Sequence, residues 1–363
     1  MKLTPYLTHS YLIPAFALMS LPLAHATDFV WDGPATGNWS TNTNWDTDTA
    51  PDNSGTITIG SGNTVTYDSS DFFLFNATLD LDGELTRAGT LRLNGATINV
   101  GSTGVISGGF RDLNNATLNF QDGAQFTASN WEHKGTNVFD FELSSSGFTA
   151  LTPGTLRSSA AISTTYTADL ASYGGATQDV TLVDFGADSP GLTNATFTGG
   201  GQYTLSIDNS GTNAARLYWD AATDEVKLSI NETVTWTGGG ANNLLSNGDN
   251  WNAPDEKGPI ANDTLLINNG DTVAHGNNLS FNTTINLVGS ELTTDGSVIR
   301  LNNSTINADA ASTLSGAFWD LDGASIVFED GAQATMTSWE QKDLNSFTYE
   351  LGAYDFTTLT PDR

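Results

Sequence analysis

The chain repeats a short pattern about every 20 residues, and this repetition limits the folds open to it more than any other feature. The segments NATLDL, GATINV and NATLNF place Thr78, Thr97 and Thr117 at spacings of 19 and 20 residues. Each segment alternates small or polar residues with apolar ones between Gly, Asn or Asp, which indicates a short half-buried β-strand. Such repeats bury their apolar faces only by stacking, so we predict a β-solenoid with the three threonines aligned on one sheet.

The whole pattern occurs twice along the chain. Residues 110–153 match residues 318–361 without a gap, at an offset of 208. The second copy keeps the short repeat, at Thr284, Thr305 and Ser325. A duplication preserves spacing in any fold, so unrelated hairpins of a β-sandwich remain the alternative. We predict an all-β protein with two tandem copies of a parallel β-solenoid.

The region between the copies lacks the short repeat. Residues 160–230 contain longer alternating segments, such as STTYTADL, QDVTLVDF and QYTLSI. We interpret them as an antiparallel β cap or small sandwich, because an open solenoid end exposes strand edges that pair with other chains. The second copy stops at Arg363 before any counterpart of this region, so we interpret the chain as a fragment. The predicted divisions are a signal peptide over 1–26, a first solenoid over 27–158, the cap over 159–231 and a truncated second solenoid over 232–363.

The N-terminal sequence predicts export. Lys2 precedes an apolar stretch over about 11–23, and Ala24-His25-Ala26 fits the small-x-small pattern that a signal peptidase cuts after. The stretch is short and interrupted by proline, unlike a membrane-spanning helix. No later stretch is apolar enough to span a bilayer, so we expect no transmembrane helix after the signal peptide.

The composition narrows the range of partners. The chain has 12 Lys and Arg against 41 Asp and Glu, a net charge of −29. Nucleic-acid binding depends on cations that neutralise phosphate, so we expect no nucleic-acid partner. Cysteine is absent, so the exported fold relies on burial and backbone hydrogen bonds rather than on disulfides.

Few residues point to catalysis or metal binding. After the signal peptide the chain holds only His133 and His275, which we interpret as isolated surface or loop residues, so we predict no catalytic or zinc site. Residues 80–83 and 320–323 both read Asp-Leu-Asp-Gly, a spacing that suits Ca²⁺ or an acid–base pair. The two stretches are not equivalent under the 208-residue offset, so we interpret them as turns. We expect no cofactor, and Ca²⁺ is the one metal that the pattern suits.

Tryptophan motifs supply the candidate contact residues. A Trp-Glu-x-Lys motif occurs in both copies, and Asn-Trp pairs stand near the start of each copy. The indoles either stack on a sugar ring, with Glu and Lys bonding its hydroxyls, or cap an open end of the solenoid. In the second interpretation, the Asn side chains satisfy turning backbone beside the Trp. The candidates are Trp131, Glu132, Lys134, Trp339, Glu340, Lys342, Trp45 and Trp251.

The order of these motifs resembles a known family. A leading W-x-G is followed by N-W pairs, then by Pro and Asp, and then by A-T-I/L-x-V/F segments over most of 28–151 and 233–361. This order resembles bacterial surface and exported proteins with autotransporter-associated β-strand repeats. The resemblance implies a right-handed, pectate-lyase-like parallel β-helix, located at the outer membrane surface or outside the cell of a Gram-negative-type bacterium. It carries no catalytic residue over to this chain.

The expected function is that of an exported, non-catalytic, structural or adhesin-like surface protein that contacts carbohydrate. The alternative is a secreted polysaccharide lyase or glycoside hydrolase on the same scaffold. The tandem copy favours the first, because repeating a module raises avidity, whereas an enzyme needs one preorganised site. The acidic surface favours neutral glycans, or contacts bridged by Ca²⁺, over polyanionic glycans.

Overall fold

A computed structural model describes residues 27–350, apart from short gaps. The predicted signal peptide over 1–26 and the end of the second copy over 351–363 lie outside the described residues. The described residues form β-strands and two short 3-10 turns, Asn42–Asn44 and Gly248–Asn250, with no helix long and apolar enough to cross a membrane. The gaps are at 53, 69–70, 88–89, 129–130, 145–147, 154–155, 175, 187–201, 256 and 277–278.

Short strands follow one another along the whole described chain. The strands of the first copy and of the region after it are Asp28–Val30 (β1), Thr36–Asn38 (β2), Thr56–Ile59 (β3), Thr64–Tyr67 (β4), Asp71–Phe75 (β5), Thr78–Leu81 (β6), Glu84–Arg87 (β7), Thr90–Asn94 (β8), Thr97–Val100 (β9), Val105–Asn114 (β10), Thr117–Gln121 (β11), Gln125–Ala128 (β12), Trp131–Glu142 (β13), Thr152–Pro153 (β14), Leu156–Asp169 (β15), Gln178–Asp184 (β16), Tyr203–Asn209 (β17), Ala215–Asp220 (β18) and Glu225–Ile230 (β19).

The second copy continues in the same way. Its strands are Thr233–Thr235 (β20), Thr264–Ile267 (β21), Thr272–Ala274 (β22), Leu279–Phe281 (β23), Thr284–Leu287 (β24), Glu291–Thr293 (β25), Val298–Asn302 (β26), Thr305–Ala308 (β27), Thr313–Asp322 (β28), Ser325–Glu329 (β29), Gln333–Gln341 (β30) and Ser346–Glu350 (β31).

Equivalent strands stack in parallel, so the fold is the predicted parallel β-solenoid. Thr78 lies beside Thr97, and Thr97 lies beside Thr117, which confirms the predicted alignment. Successive side chains of a strand point to opposite faces, so the residue after each threonine points into the coil. These inward side chains form a fully buried stack made of Ile57, Leu79, Ile98, Leu118 and Phe139.

Most coils turn a corner two residues before their aligned threonine or serine. The corner residue is Asn or Gly with positive φ, a conformation that these two residues adopt more readily than most others. At Gly95 a Cβ atom would lie 2.3 Å from Asn76 Oδ1, so a larger residue here would require the Asn76 side chain to move. The corners are Asn76 (49°), Gly95 (64°), Asn115 (52°), Asn231 (55°), Asn262 (69°), Asn282 (50°), Asn303 (48°) and Gly323 (62°).

One coil contributes strands to three ladders. In the first copy, for example, one coil consists of β6, β7 and β8. Strand β6 pairs with β3 and β9. Strand β7 pairs with β4 and β10, and strand β8 pairs with β5 and β10. In the second copy β20, β21, β24, β27, β29 and β31 form one such ladder. The outward side chains also stack, as where Asn119 Nδ2 donates to Asn99 Oδ1 at 2.7 Å.

The region after residue 158 is only partly the antiparallel segment that we predicted. Strands β16, β19 and β18 do form an antiparallel sheet. Strands β15 and β17 instead extend the parallel ladder of β13, with Tyr166 beside both Phe139 and Leu205. The prediction differs here because the period of two is the same in parallel and antiparallel strands, so alternation does not distinguish them.

A buried arginine joins the antiparallel sheet to the second copy. Arg216 in β18 is 4% exposed, and its guanidinium bonds the carboxylates of Asp255 at 2.8 Å and Asp263 at 2.5 Å. It also donates to the carbonyl oxygen of Gly258 at 3.4 Å. A buried charge is tolerated only when it is paired. The ion pairs therefore hold the antiparallel sheet against the start of the second copy.

Candidate functional site

The tryptophans at the start of each copy are buried. Trp45 is 1% exposed and meets the rings of Trp31 and Trp39 edge-on, at centroid distances of 5.2 and 4.9 Å. Trp251 is 5% exposed and meets Trp236 in the same way, at 5.1 Å. The indole Nε1 of Trp45 and that of Trp251 each donate to the carbonyl oxygen six residues earlier, at 2.9 and 2.8 Å. A buried indole presents no ring face to a ligand, so these two residues cap the solenoid and do not contact sugar.

The asparagines beside these tryptophans hold the turning backbone. Asn44 and Asn250 end the two 3-10 turns and are buried. The Asn44 amide donates to the carbonyl oxygen of Asn38 at 3.1 Å. The Asn250 amide donates to the carbonyl oxygens of Asn242 and Leu244, at 2.7 and 3.1 Å. This is the role that the capping interpretation predicts for the Asn-Trp pairs.

Trp131 lies at the centre of an aromatic cluster. Its side chain is fully buried and stacks on Phe139, with centroids 5.0 Å apart and planes inclined by 14°. Phe126 meets it edge-on at 5.1 Å, and Phe185, which directly follows β16, meets it edge-on at 6.4 Å. Trp131 is therefore a core residue of the first copy and not a sugar contact.

Trp339, the counterpart of Trp131, lies in a more open position. It is 37% exposed and packs on Phe347, the counterpart of Phe139, at 4.7 Å with planes inclined by 38°. Among the described residues, strand β30 pairs only with β28. Trp339 thus keeps one aromatic neighbour but leaves more than a third of its surface accessible.

The Glu and Lys of the first motif belong to an ion-paired ladder on the outer surface. Lys134 Nζ bonds Asp112 Oδ1 and lies 3.2 Å from Glu132 Oε1. The other Asp112 oxygen lies 3.2 Å from Arg92 Nη1, one coil earlier. The hydrogen bond to Asp112 raises the pKa of Lys134 above its usual value, so the lysine stays charged at neutral pH.

The second copy carries the same ladder at equivalent positions. Lys342 Nζ bonds Asp320 Oδ1, and Arg300 Nε lies 3.3 Å from Asp320 Oδ2. That bond raises the pKa of Lys342 and lowers the pKa of Asp320. Asp112 and Asp320 both have positive φ, at 57° and 54°.

The sequence interpretation found the lysines of these ladders, missed the two arginines and Asp112, and assigned Asp320 to a turn. Arg92 and Asp112 recur as Arg300 and Asp320, 208 residues later, so the offset that defined the duplication was a sufficient signal. The interpretation of residues 320–323 as a turn applies to Gly323, which occupies a corner, but Asp320 is an ion-pair partner.

Both histidines are buried, so their interpretation as surface residues is wrong, although His275 does lie in a loop, directly after β22. His133 is two residues after Trp131 in the same strand and therefore points to the same inner face, where it contacts Tyr203. Burial lowers the pKa of His133 to about 3 and that of His275 to about 4, so both are neutral at neutral pH. His275 Nε2 lies 3.0 Å from Ser280 Oγ.

The paired aspartates do not form a metal centre in the described part of the chain. Asp80 Oδ1 accepts a hydrogen bond from Asn99 Nδ2 at 2.6 Å, and Asp322 Oδ2 accepts one from Asn302 at 3.2 Å. Over the described residues, no three His, Cys, Asp or Glu side chains come together in a way that suits a metal ion. The Asp80 carboxylate thus forms a hydrogen bond between adjacent coils.

Comparison with known proteins gives no relative: no protein-family model, no curated protein and no solved structure matches the chain. Functional inference therefore rests on the surface of this chain alone. That surface carries two copies of a ladder in which carboxylate acceptors alternate with cationic donors. Such an arrangement is suited to hydrogen bonding with a polar ligand.

Proposed function

We propose that the protein is an exported, non-catalytic, structural or adhesin-like β-helix protein that contacts carbohydrate at the cell surface or outside the cell. The observation that carries this proposal is the duplicated ladder of Arg92, Asp112 and Lys134. Two contact surfaces that share the same ion-paired residues on one chain bind a repeating ligand with an avidity that neither surface has alone.

The small number of basic residues in the chain supports the assignment of the ladders as contact surfaces. The chain has 12 Lys and Arg in all, and the two ladders use four of them at equivalent positions. Exposed ion pairs contribute little to folding stability. Their recurrence therefore fits a contact role better than a folding role.

Binding of the purified protein to immobilised neutral and acidic polysaccharides, with and without Ca²⁺, tests whether the two ladders act together. We expect retention on a neutral polysaccharide. The single variants Arg92→Ala and Arg300→Ala should weaken it modestly, and the double variant should weaken it by more than the product of the two single effects. Lys257→Ala is the matched control, because Lys257 is a 73% exposed cation outside both ladders.

Two results would contradict the proposal. If the double variant is retained as strongly as wild type, the ladders do not contact the polysaccharide. Release of new reducing ends or unsaturated uronates, abolished by a single Asp→Asn change, would instead favour a secreted lyase or hydrolase.

Export is tested separately. N-terminal sequencing of the protein recovered outside the inner membrane should begin at Thr27, the residue after the predicted cleavage site. Recovery of the uncleaved chain from the cytoplasm would contradict the predicted export.

A further inference from the structure

One exposed aromatic residue is not used by the solenoid core. Trp319 in β28 is 43% exposed, whereas its neighbour Phe318 points inward and is fully buried. An exposed tryptophan contributes little to the core, and tryptophan is enriched at binding interfaces because its ring is apolar whereas its N–H group is polar. Trp319 is therefore the residue of this face whose presence most needs a functional reason.

The Trp319 ring is held in place. Its Nε1 donates to Ser338 Oγ at 3.1 Å, on the next coil. Its Cα lies opposite that of Arg300 on the preceding coil. The indole is thus fixed on the outer surface before any ligand arrives, which lowers the entropy cost of binding.

Charged residues occupy positions next to Trp319 on the same surface. Asp320, the next residue in the strand, bonds Lys342 and lies 3.3 Å from Arg300. Glu340 is exposed and lies two residues after Ser338, on the same side of β30. We call this surface the Trp319 patch, and it consists of Arg300, Trp319, Asp320, Ser338, Glu340 and Lys342.

The patch has the chemistry of a sugar-binding platform. The face of an indole attracts the C–H groups of a ring, and the surrounding donors and acceptors match ring hydroxyls. Two cations and two carboxylates cancel in formal charge, so the patch gives no preference for a charged ring, and the net charge of −29 repels polyanions. We propose that the Trp319 patch binds a neutral pyranose unit of a polysaccharide, an inference that rests on the proposed function.

The first copy provides an internal comparison. The residue equivalent to Trp319 is Arg111, while Arg92, Asp112 and Lys134 of the ladder are retained. The first copy therefore offers polar groups without the aromatic platform. The two surfaces differ in strength, and the second copy holds the stronger site.

The experiment measures binding of cellohexaose, laminarihexaose and mannohexaose to the whole purified protein by calorimetry. We expect Trp319→Ala to weaken binding of the preferred oligosaccharide by about tenfold or more, as loss of an aromatic anchor does. Trp319→Phe should lose less. Val288→Ala is the matched control, because Val288 is similarly exposed, at 46%, and lies outside the patch. In the Trp319→Ala background, Arg111→Trp should restore part of the affinity.

The outcomes separate this inference from the proposed function. If wild type binds a neutral oligosaccharide and Trp319→Ala binds it equally well, the Trp319 patch is not the site, whereas carbohydrate contact stands. If wild type binds none of the neutral oligosaccharides and no immobilised polysaccharide, both proposals fail. Binding of polygalacturonate in preference to the neutral oligosaccharides would overturn the neutral-ring assignment. Thermal melting of each variant shows whether it is folded.

Discussion

Trp131 and Trp339 occupy equivalent positions in the two copies, yet one is fully buried and the other is 37% exposed. Each packs on its equivalent phenylalanine, at 5.0 Å in the first copy and 4.7 Å in the second. The difference lies in what covers them. In the first copy β15 pairs with β13, and Phe185, directly after β16, packs on Trp131, whereas β30 pairs only with β28 among the described strands.

The comparison separates two levels of specification in a solenoid. Local sequence determines the strand, its register and which side chains point inward, and these features are shared by the two copies. Burial depends on the next coil, because each coil completes its core only against a neighbour. A duplicated motif can therefore serve as core in one copy and lie partly on the surface in the other.

The variant with the largest expected effect on stability is Trp131→Ala. Removing a fully buried large aromatic residue should lower the free energy of unfolding by about 3–5 kcal/mol. Trp339→Ala is the matched variant and should cost about 1–2 kcal/mol, since part of its surface is already in water. Denaturant titration of both variants measures the difference. Equal losses would show that Trp339 is covered in solution as Trp131 is.

A second test asks whether the cover over Trp131 depends on the second copy. Phe185 contacts Trp219 of β18 at 5.9 Å, and Arg216 of the same strand bonds Asp255 and Asp263. Arg216→Ala would leave the buried carboxylate of Asp263 without its cation and should cost about 3 kcal/mol in unfolding free energy.

The control for Arg216→Ala is Lys257→Ala. Lys257 is 73% exposed and lies 3.8 Å from the same Asp255, so its loss should change stability by less than about 0.5 kcal/mol. If Arg216→Ala also unfolds as stably as wild type, the cover over Trp131 stands without the second copy.

Sequence reasoning predicted those parts of the fold that repeat. The spacing of Thr78, Thr97 and Thr117 was enough to predict their alignment, because a parallel stack is the arrangement that pairs residues at a constant interval. Pairing direction in β15 and β17 was not predictable, since alternation is common to both kinds of sheet. The exposure of Trp319 was also not predictable from the sequence. It depends on which face of a ten-residue strand the ring occupies, and the pairing of that strand with β26 contains a register shift.

A third test uses His133, which the second copy replaces with Gln341. Burial lowers its pKa from 6.5 to about 3. Between these values the unfolded chain binds a proton that the folded chain does not, so stability is full above pH 6.5 and is lost as pH falls. Each pKa unit corresponds to about 1.4 kcal/mol. His133→Gln should therefore flatten the fall in stability between pH 6.5 and pH 4.

The readout is the slope of unfolding free energy against pH, which separates proton binding from any constant packing cost of the glutamine. His275→Gln provides the equivalent measurement in the second copy, since burial lowers that pKa to about 4. A slope unchanged by His133→Gln would mean that His133 is protonated in the folded core.

The smallest expected effect is on the surface ladders, where the two copies should behave alike although their cores differ. Lys134→Ala should lower the free energy of unfolding by less than about 1 kcal/mol, because the lysine is an exposed ion-pair partner. Lys342→Ala should cost no more, since Lys342 is 53% exposed and bonds the equivalent aspartate. The raised pKa of Lys134 means that its contribution is complete at neutral pH and is lost only as the pH rises above 10.5. Salt should reduce both effects by screening, which it cannot do for Trp131. A cost for Lys134→Ala as large as that for Trp131→Ala would assign the ladder to folding and would remove the main reason for reading it as a contact surface.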